Sequence, residues 1–549
     1  MKKINSLCWM IALGLLAEGQ ALAAPDLNRG MDAGAQIERD RRDMEREQVK
    51  EQIAEDEAAK KKRVETAENQ PAADSGTEIR FELKQVNWNP SELLTPEELH
   101  AVVDTYIGQK ITLKDLQEMA SKITNLYKDK GYLTCGAVLP PQRIHEGVVE
   151  IRLIEGKTGE VTIKGNRYTK EKYIMDRLKL KPGEIANTDK LNRDLRWFHG
   201  TNDLQLRVIL RPGTQENTTD YEIIVLEPKN QSVTLYLDND GYKNNGRWRE
   251  GLFYNMRSLS NYRDALRGNF IRSQGTKAWA LGYSVPVLPT GMRLDFQYAG
   301  NRTEVTNGEL KPLGVEGKSN SVSLTWRVPF HMTEHSRHET GLQYVYQKAE
   351  TDLGHGKVSW VNDKIQRIAP YVSFTHYGNS SVVYHKHSIV QARRKDKEGI
   401  SDNANLYRLS SFWQKRYKRG QFWQGRLDGQ LTSSDYLASS DRFFIGGVNS
   451  VRGYEEGFIG AEKGFSAGIE YHIPVDKDKH FSVFPFFDWG KVAGDTAPAH
   501  RTLMSTGWGV AAKYKNIYST LTMGFPLKKD FYENHLGSTR VDFSLSAMF

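Results

Sequence analysis

The 549-residue sequence has no long uncharged apolar segment beyond its first two dozen residues. A membrane-spanning helix needs roughly 18 or more such residues in a row, so this absence excludes a helical transporter. Mean hydropathy is −0.61 and hydrophobic residues make up 38% of the chain. Glycines number 47 and aromatic residues reach 10%. This mixture favours many short strands and turns over a helical enzyme.

Cysteine is almost missing, since the chain has only Cys8 and Cys135. Residues 1–23 have a basic start, a short apolar stretch and the ending Ala21-Leu22-Ala23, which is typical of a cleaved secretory signal peptide. The alternative, a membrane anchor, is disfavoured by the short apolar stretch. Cys8 therefore leaves with the signal, and Cys135 alone can form neither an internal disulfide nor a cysteine zinc cluster. We expect Cys135 to be a small buried apolar residue.

The positive charge of the chain is modest, at +8 for 549 residues. No RNP-type or zinc-finger pattern accompanies it, so nucleic acid is not expected as a partner. Contact with anionic lipid headgroups, or a lumen lined with mixed charge, is the better interpretation for an exported protein.

No enzyme signature is complete. The stretch GVEGKS at 314–319 resembles the end of a P-loop, but Pro312 stands where the first glycine belongs, and we expect a surface loop there. No G-x-S-x-G elbow occurs. His385 and His387 alternate on one predicted strand without a carboxylate or cysteine partner. Three more histidines are expected in a solvated turn: His331, His335 and His338. The sequence therefore predicts no enzyme, no cofactor site and no metal site.

Residues 24–76 are predicted to hold a charged helix followed by a flexible linker at 68–78. Within 37–65 both charge signs interleave, and pairs such as Glu38 with Arg42 have the i,i+4 spacing that supports a helix. The apolar residues are too few for a core-facing stripe: Ile37, Met44, Val49 and Ile53. A helix that is polar all round must stand in water or in a water-filled space. A partly disordered charged linker is the alternative.

Two similar α+β units follow, at 77–157 and 158–229. Each reads as strand, helix, helix, strand, strand. In the first unit Thr95 and Glu98 form a predicted capping box, and Gly131 ends the second helix. Small units in tandem form an internal repeat, which is more typical of docking modules than of catalytic domains.

Residues 230–549 read as a transmembrane β-barrel. Segments of about ten residues alternate apolar and polar side chains, as in FSAGIEYHI at 465–473, and about sixteen such segments are separated by turns of unequal length. The chain ends VDFSLSAMF, with Phe549 on the apolar face. We expect this strand to close the barrel, because lipid cannot satisfy an open sheet edge.

One glycine-rich stretch, GGVNSVRGYEEGFIG at 446–460, holds a candidate site. Its arginine, Arg452, needs a partner if it is buried. In FPFFDWG at 484–490 alternation predicts that Asp488 points inward while Phe487 and Trp489 point outward. A planar guanidinium suits bidentate pairing with a carboxylate. The alternative is an exposed loop arginine, and Glu455 and Glu456 are expected to be solvated.

These motifs together resemble the Omp85 superfamily. The resemblance rests on VRGY (Val451, Arg452, Gly453 and Tyr454), on FFIGG just before it, and on an FxDxG pattern formed by Phe486, Asp488 and Gly490. With two tandem units like POTRA domains and a charged helix before them, the chain is more narrowly similar to the TpsB transporters of two-partner secretion.

The resemblance implies a function and a set of partners. Loop 6, at about 433–464, would fold into the lumen, where Arg452 would meet Asp488, and the N-terminal helix would plug the barrel. POTRA domains in the periplasm would capture a TpsA-type exoprotein, a haemolysin, adhesin or contact-dependent toxin, for export without ATP. Phe549 would serve barrel closure and recognition by the barrel assembly machinery, and the protein would be a monomer in the Gram-negative outer membrane. The rival implied function is an Omp85-type assembly factor that inserts other barrels.

Overall fold

The computed structural model describes residues 32–60, 80–531, 534–535 and 539–549. The predicted signal peptide at 1–23, the predicted linker at 68–78 and the end of the predicted charged segment, 61–65, lie outside these residues. The chain divides into two compact units: residues up to Ala54 together with Lys229–Phe549 form one, and Glu55–Pro228 form the other. No described helix is both long and apolar enough to cross a membrane.

The first described helix, α1, spans Ala33–Lys60. Its start is capped by Asp32, whose Oδ1 accepts a hydrogen bond from the Ala35 backbone at 3.0 Å. The prediction of a helix in the charged segment is confirmed for the residues described, because a disordered linker would not hold 28 helical residues.

The first α+β module shows the predicted strand–helix–helix–strand–strand order. Its three-stranded sheet has the order β2 (Gln85–Trp88), β5 (Val148–Glu155), β4 (Cys135–Val138), with β2 parallel to β5. A short pair stands apart, formed by β1 (Phe81–Glu82) and β3 (Lys110–Ile111). The predicted capping box is confirmed, since Thr95 and Glu98 each bond the other's backbone amide. Cys135 is buried, as expected, at 4% exposure. The elements are β1 Phe81–Glu82, β2 Gln85–Trp88, α2 Pro96–Val103, β3 Lys110–Ile111, α3 Leu113–Asp129, β4 Cys135–Val138 and β5 Val148–Glu155.

The second module repeats this arrangement. Its sheet has the order β6 (Lys157–Lys164), β8 (Thr218–Leu226), β7 (Gln205–Pro212), again with one parallel and one antiparallel pair. Leucine, isoleucine and phenylalanine side chains from both helices and all three strands close a separate core around Ile174 and Phe198. The elements are β6 Lys157–Lys164, α4 Glu171–Leu178, α5 Thr188–Thr201, β7 Gln205–Pro212 and β8 Thr218–Leu226. The predicted internal repeat is therefore confirmed.

A closed barrel of sixteen antiparallel strands forms the rest of the described chain, in agreement with the predicted number. Its strands are β9 Gln231–Asp238, β10 Arg249–Arg257, β11 Ala265–Arg272, β12 Thr276–Pro286, β13 Arg293–Glu304, β14 Glu316–Met332, β15 Ser336–Leu353, β16 Val358–Tyr377, β17 Ser381–Lys395, β18 Ser401–Arg416, β19 Phe422–Thr432, β22 Lys463–Pro474, β23 Phe481–Ala493, β24 Thr502–Tyr514, β25 Ile517–Pro526 and β28 Arg540–Met548. Two short pairs are not part of the barrel sheet: β20 Phe443–Ile445 with β21 Ile459–Ala461, and β26 Asp530–Phe531 with β27 Asn534–His535.

The barrel closes between its last and first strands. β28 pairs with β9 over five residues, from Ser544 opposite Asp238 to Met548 opposite Thr234. Phe549 continues this pairing, since its amide donates to the Val233 carbonyl at 2.8 Å and its side chain is 61% exposed. The structure thus places the terminal residue at the seam.

Strand pairing extends further than the sequence predicted in one region. His331 lies on β14 and His338 on β15, with their rings stacked 4.7 Å apart, so the prediction of a turn was wrong for these two residues. A bulge between Pro329 and His331 lets the ladder continue past the proline. Lys318, from the GVEGKS stretch, also lies on β14 rather than in a loop.

Candidate functional site

Residues 433–462, which connect β19 to β22, fold back inside the barrel and are called loop 6 here. The β20–β21 pair forms the stem of this loop and the residues between the two strands form its tip. Val451, Arg452 and Tyr454 are each at most 3% exposed. A loop tip so deeply buried must satisfy its polar groups on the barrel wall.

The tip is joined to the wall by Arg452 and Asp488. Arg452 Nε donates to Asp488 Oδ2 at 2.7 Å, and Arg452 Nη2 donates to Asp488 Oδ1 at 2.9 Å. The Arg452 backbone amide adds a third bond, to Oδ2 at 3.0 Å. Asp488 is fully buried on the inner face of β23, while Phe487 and Trp489 are 39% and 42% exposed on the outer face. The pairing is bidentate and charge-assisted, which is the strong form of this contact.

Further groups on neighbouring strands complete the arginine's environment. Arg452 Nη1 lies 2.6 Å from Glu470 Oε1 on β22, and Glu470 also contacts His472 Nε2 at 2.8 Å. The Arg452 guanidinium carbon stands 3.6 Å from the centre of the Phe486 ring, a cation–π contact. A second cation, Arg426 on β19, donates to Asp488 Oδ1 at 3.2 Å and to the Val448 carbonyl at 2.8 Å. Two arginines therefore share two carboxylates across three adjacent strands.

The other motif residues fix the backbone of the tip. Gly453 has φ +86°, and a Cβ there would lie 3.1 Å from the Gly524 carbonyl carbon and 3.2 Å from Pro526 Cδ. Both the left-handed backbone and this close approach to β25 require glycine. Tyr454 donates from its hydroxyl to the Met504 and Lys528 carbonyls at 2.9 and 2.8 Å. At Gly490 a Cβ would lie 3.0 Å from Val451 Cγ2, so the glycine of FxDxG leaves room for the valine of VRGY.

α1 lies against the inner wall, in the same compact unit as the barrel. The Asn301 and Gln347 amides donate to the Ala33 and Gly34 carbonyls at 2.8 and 3.0 Å. Five ion pairs join the helix to the wall or to loop 6: Glu38–Arg408 at 3.4 Å, Arg39–Glu456 at 3.2 Å, Glu45–Lys386 at 3.1 Å, Arg46–Asp428 at 2.9 Å and Glu51–Arg257 at 2.8 Å. The contact surface of the helix is therefore largely polar.

The apolar residues of α1 do touch the wall, in two small clusters. Ile37 packs with Ala280 and Ala299 near the start of the helix. Ile53 packs with Tyr377 and Val382 further along. Met44 and Val49 are partly buried at the edges of these clusters. The prediction that α1 has too few apolar residues for a stripe was therefore too strict, because these four residues form a narrow apolar line that packs on the wall.

Loop 6 and α1 meet at two places. Glu456, expected to be solvated, is 5% exposed: its carboxylate accepts from the Val448 amide at 2.7 Å and pairs with Arg39 at 3.2 Å. Asp441, in the stem region of loop 6, pairs with Arg408 at 3.1 Å, and Arg408 reaches Glu38 of the helix. Glu455, by contrast, points away and meets Arg247 at 2.8 Å with both side chains partly exposed.

The described residues contain one group with the spacing of metal ligands: Asp476, Asp478 and His480 in the turn between β22 and β23. Asp476 already accepts bonds from the His480 and Phe481 amides at 2.9 and 2.7 Å. The cluster is therefore accounted for as a turn cap and lies away from loop 6.

Residues 218–513 match the sequence profile of the haemolysin secretion/activation proteins ShlB/FhaC/HecB. The chain belongs to this family. Residues 81–156 match the ShlB-type POTRA domain, and residues 156–227 match the POTRA profile described as a surface antigen variable number repeat. The chain is thus an outer-membrane transporter of the two-partner secretion type, with two periplasmic POTRA domains.

Individual relatives are distant in sequence. The heme/hemopexin transporter protein HuxB of Haemophilus influenzae is 23% identical over 442 residues, which are 75% of this chain and 76% of HuxB. The outer membrane transporter CdiB of Dickeya dadantii is 24% identical over 223 residues, covering 40% and 38% of the two chains.

Two solved structures share the fold. CdiB from Escherichia coli superposes with a TM-score of 0.67 at 16% identity, covering 97% of this chain and 100% of that one. BamA from Haemophilus ducreyi lacking POTRA domains 1–3 gives 0.52 at 14% identity, covering 86% and 100%. The family match favours the transporter over the assembly factor.

Sequence reasoning missed several residues of the site. Glu470 and Arg426 belong to the inward faces of β22 and β19, so their charge on an alternating strand was the available signal. Asp441 and Arg367 form a buried pair at 2.7 Å that fixes the stem of loop 6 to β16. Their separation of 74 residues gave no local pattern to detect.

Proposed function

We propose that the protein captures an unfolded TpsA-type exoprotein with its POTRA domains and exports it through the barrel lumen without ATP. In this proposal α1 plugs the lumen at rest and leaves it before or during transport. The protein works as a monomer, and the barrel assembly machinery inserts it using the strand that ends in Phe549. The printed names of the relatives, a heme/hemopexin transporter and outer membrane transporters, support a transport role.

The observation that carries this proposal is the polar surface between α1 and the barrel. Five ion pairs and two amide–carbonyl bonds hold the helix, while Ile37 and Ile53 supply its main apolar contacts. Water can replace polar contacts at small net cost, whereas a packed apolar core could not open so easily. The same polar wall then suits an extended passenger chain.

Capture is assigned to the edges of the POTRA sheets. β7 pairs only with β8 among the described strands, and its outer positions include Leu210 at 39% exposure. An extended segment can add to such an edge through backbone hydrogen bonds, which give affinity without demanding a particular sequence. The neighbouring exposed cation Arg207 favours a passenger segment with acidic side chains, whereas Arg211 is already paired with Glu222 at 2.8 Å.

We propose that the Arg452–Asp488 pair holds loop 6 in the position that transport requires. Arg452, Asp488 and Glu470 anchor the tip, and Gly453 and Tyr454 set its backbone. Because Glu456 also binds Arg39, departure of the helix would remove one partner of a loop residue that is 5% exposed.

The test is to lock α1 in place. Ile37→Cys combined with Ala299→Cys, in a Cys135→Ala background, joins neighbours of one apolar cluster on α1 and β13. The oxidised variant should insert normally but secrete no passenger, and reduction should restore secretion. The single Ile37→Cys variant is the matched control. Equal secretion by the cross-linked and reduced forms would rule out the proposed route.

A second comparison separates secretion from barrel assembly. Deleting the gene should abolish surface release of one large exoprotein and leave the amounts of other outer-membrane barrels unchanged. A general loss of outer-membrane barrels would instead identify an assembly factor.

A further inference from the structure

Seven basic side chains form a belt on the outer face of β11–β17, and they are called the basic belt here. Its members are Arg272, Lys277, Arg302, Lys318, Lys348, Lys364 and Lys395. They share the outward face of their strands with exposed apolar residues such as Phe270, Trp279 and Tyr298. Six are exposed, and the Lys348 side chain is 42% exposed.

The belt lies at the cell-surface end of the barrel. β9 begins at Gln231, directly after the second POTRA domain, so this end of the strands faces the periplasm. Since successive strands run in opposite directions, the end of β11, the start of β12 and the end of β13 all lie at the opposite end. Arg272, Lys277 and Arg302 occupy these positions.

The strand register sets like charges directly opposite one another. Arg272 pairs with Lys277, Lys277 with Arg302, and Arg302 with Lys318. One side-chain step nearer the barrel centre, Lys348 stands opposite Lys364, and Lys364 stands opposite Lys395. Directly opposed side chains stand roughly 5 Å apart at Cβ, so each of these pairs is destabilising unless an anion lies between them.

The protein itself supplies few of the anions needed. Glu250 pairs with Arg272 at 2.9 Å, and Glu350 contacts Lys348 and stands directly opposite Lys318 in the strand register. Within the described part of the chain the other five belt residues have no ion pair. Glu304 and Glu316 share the outward face, but they stand one side-chain step further from the membrane, about 6.6 Å along the strand. Against the seven cations, these four carboxylates leave an excess of positive charge on the outward face of these strands.

The row from Arg272 to Lys318 lies at the headgroup layer. Phe270 precedes Arg272 by two residues and Trp279 follows Lys277 by two, and the Trp279 and Tyr298 rings pack 5.0 Å apart. Aromatic residues mark the interface of outer-membrane barrels, so this row lies just outside the hydrocarbon region. On the far wall Lys463 and Lys491 face Ala493 and Phe465 instead of other cations.

We propose that the basic belt binds the phosphate groups of the outer-leaflet lipid and gives this side of the barrel a fixed shell of phosphorylated glycolipid. Two cations that stand opposite each other on paired strands can both donate charge-assisted hydrogen bonds to one phosphate group. The binding would neutralise the five like-charge pairs at once and would orient β11–β17 in the outer leaflet.

The test measures lipopolysaccharide binding by the full-length protein purified in detergent. A triple variant, Lys277→Gln, Arg302→Gln and Lys318→Gln, should bind at least about tenfold more weakly than the wild type. Lys415→Gln is the matched control, because Lys415 is exposed on the outer face of β18 at the periplasmic end. It should bind like the wild type.

Two further arms decide the source of the phosphate and guard against misfolding. Phosphatidylcholine vesicles and free inorganic phosphate should produce no comparable binding, and equal binding of either would overturn the proposal. Without lipid the triple variant should be at least as heat-resistant as the wild type, because repulsion is relieved; a clear loss of stability would contradict the argument. The double variant Lys364→Gln/Lys395→Gln tests the second row separately, and unchanged lipopolysaccharide binding in both variants refutes the assignment.

Discussion

Replacing Asp488 with asparagine should release the tip of loop 6 while leaving the barrel intact. The Asp488 carboxylate accepts three bonds from Arg452, at 2.7, 2.9 and 3.0 Å, and one from Arg426 at 3.2 Å. Breaking a buried charge pair costs about 3–5 kcal/mol. Arg452 keeps Glu470 at 2.6 Å, so we expect the lower end, about 3 kcal/mol, or roughly two orders of magnitude in the docking equilibrium.

The assay follows three quantities in cells: passenger protein in the medium, protease cleavage within loop 6, and the heat-modifiable mobility that reports barrel insertion. Asp488→Asn should lower secretion and expose the loop without changing insertion, because Phe487 and Trp489 still face outward. Glu455→Gln, in the same loop but in an ion pair with the partly exposed Arg247, is the control. Normal secretion together with a protected loop in Asp488→Asn would refute the anchoring role.

Four further predictions follow from the same contacts. Glu456→Gln, which weakens the bond to Arg39, should raise the conductance of the purified barrel in planar bilayers, whereas Glu455→Gln should not. Gly453→Ala should destabilise the docked loop by about 1–2 kcal/mol, because the backbone there has a φ of +86°. We expect less passenger in the medium and more protease cleavage within loop 6. Raising the salt from about 0.15 M to about 1 M should favour release of α1, because Arg46–Asp428 and Glu51–Arg257 are partly exposed, and a normalised conductance that does not rise would contradict this. Burial raises the pKa of the Cys135 thiol, so maleimide should label it slowly at neutral pH in the folded protein and quickly in urea.

Period-two alternation carried much of the prediction for the barrel. It identified sixteen strands and put Asp488 on the inner face, because lipid outside and water inside impose opposite polarity on successive residues. The contact of Arg452 with Glu470, and the sharing of Asp488 by Arg452 and Arg426, needed the register of β19, β22 and β23, which no single strand encodes. The bond between Arg39 and Glu456 joins parts of the chain more than 400 residues apart and became visible only in three dimensions.

The composition of α1 is understandable as a compromise between two environments. A helix with a wide apolar stripe would pack firmly in the lumen, but exposing that stripe to periplasmic water would cost about 25 cal/mol for each Å². A helix with no apolar contact would depend on ion pairs whose attraction is offset by desolvation. α1 combines two small apolar clusters, at Ile37 and Ile53, with ion pairs spread between them. On the proposed route this balance makes the plug stable at rest and still able to leave, since each wall contact that it gives up is one that water or a passenger chain can replace.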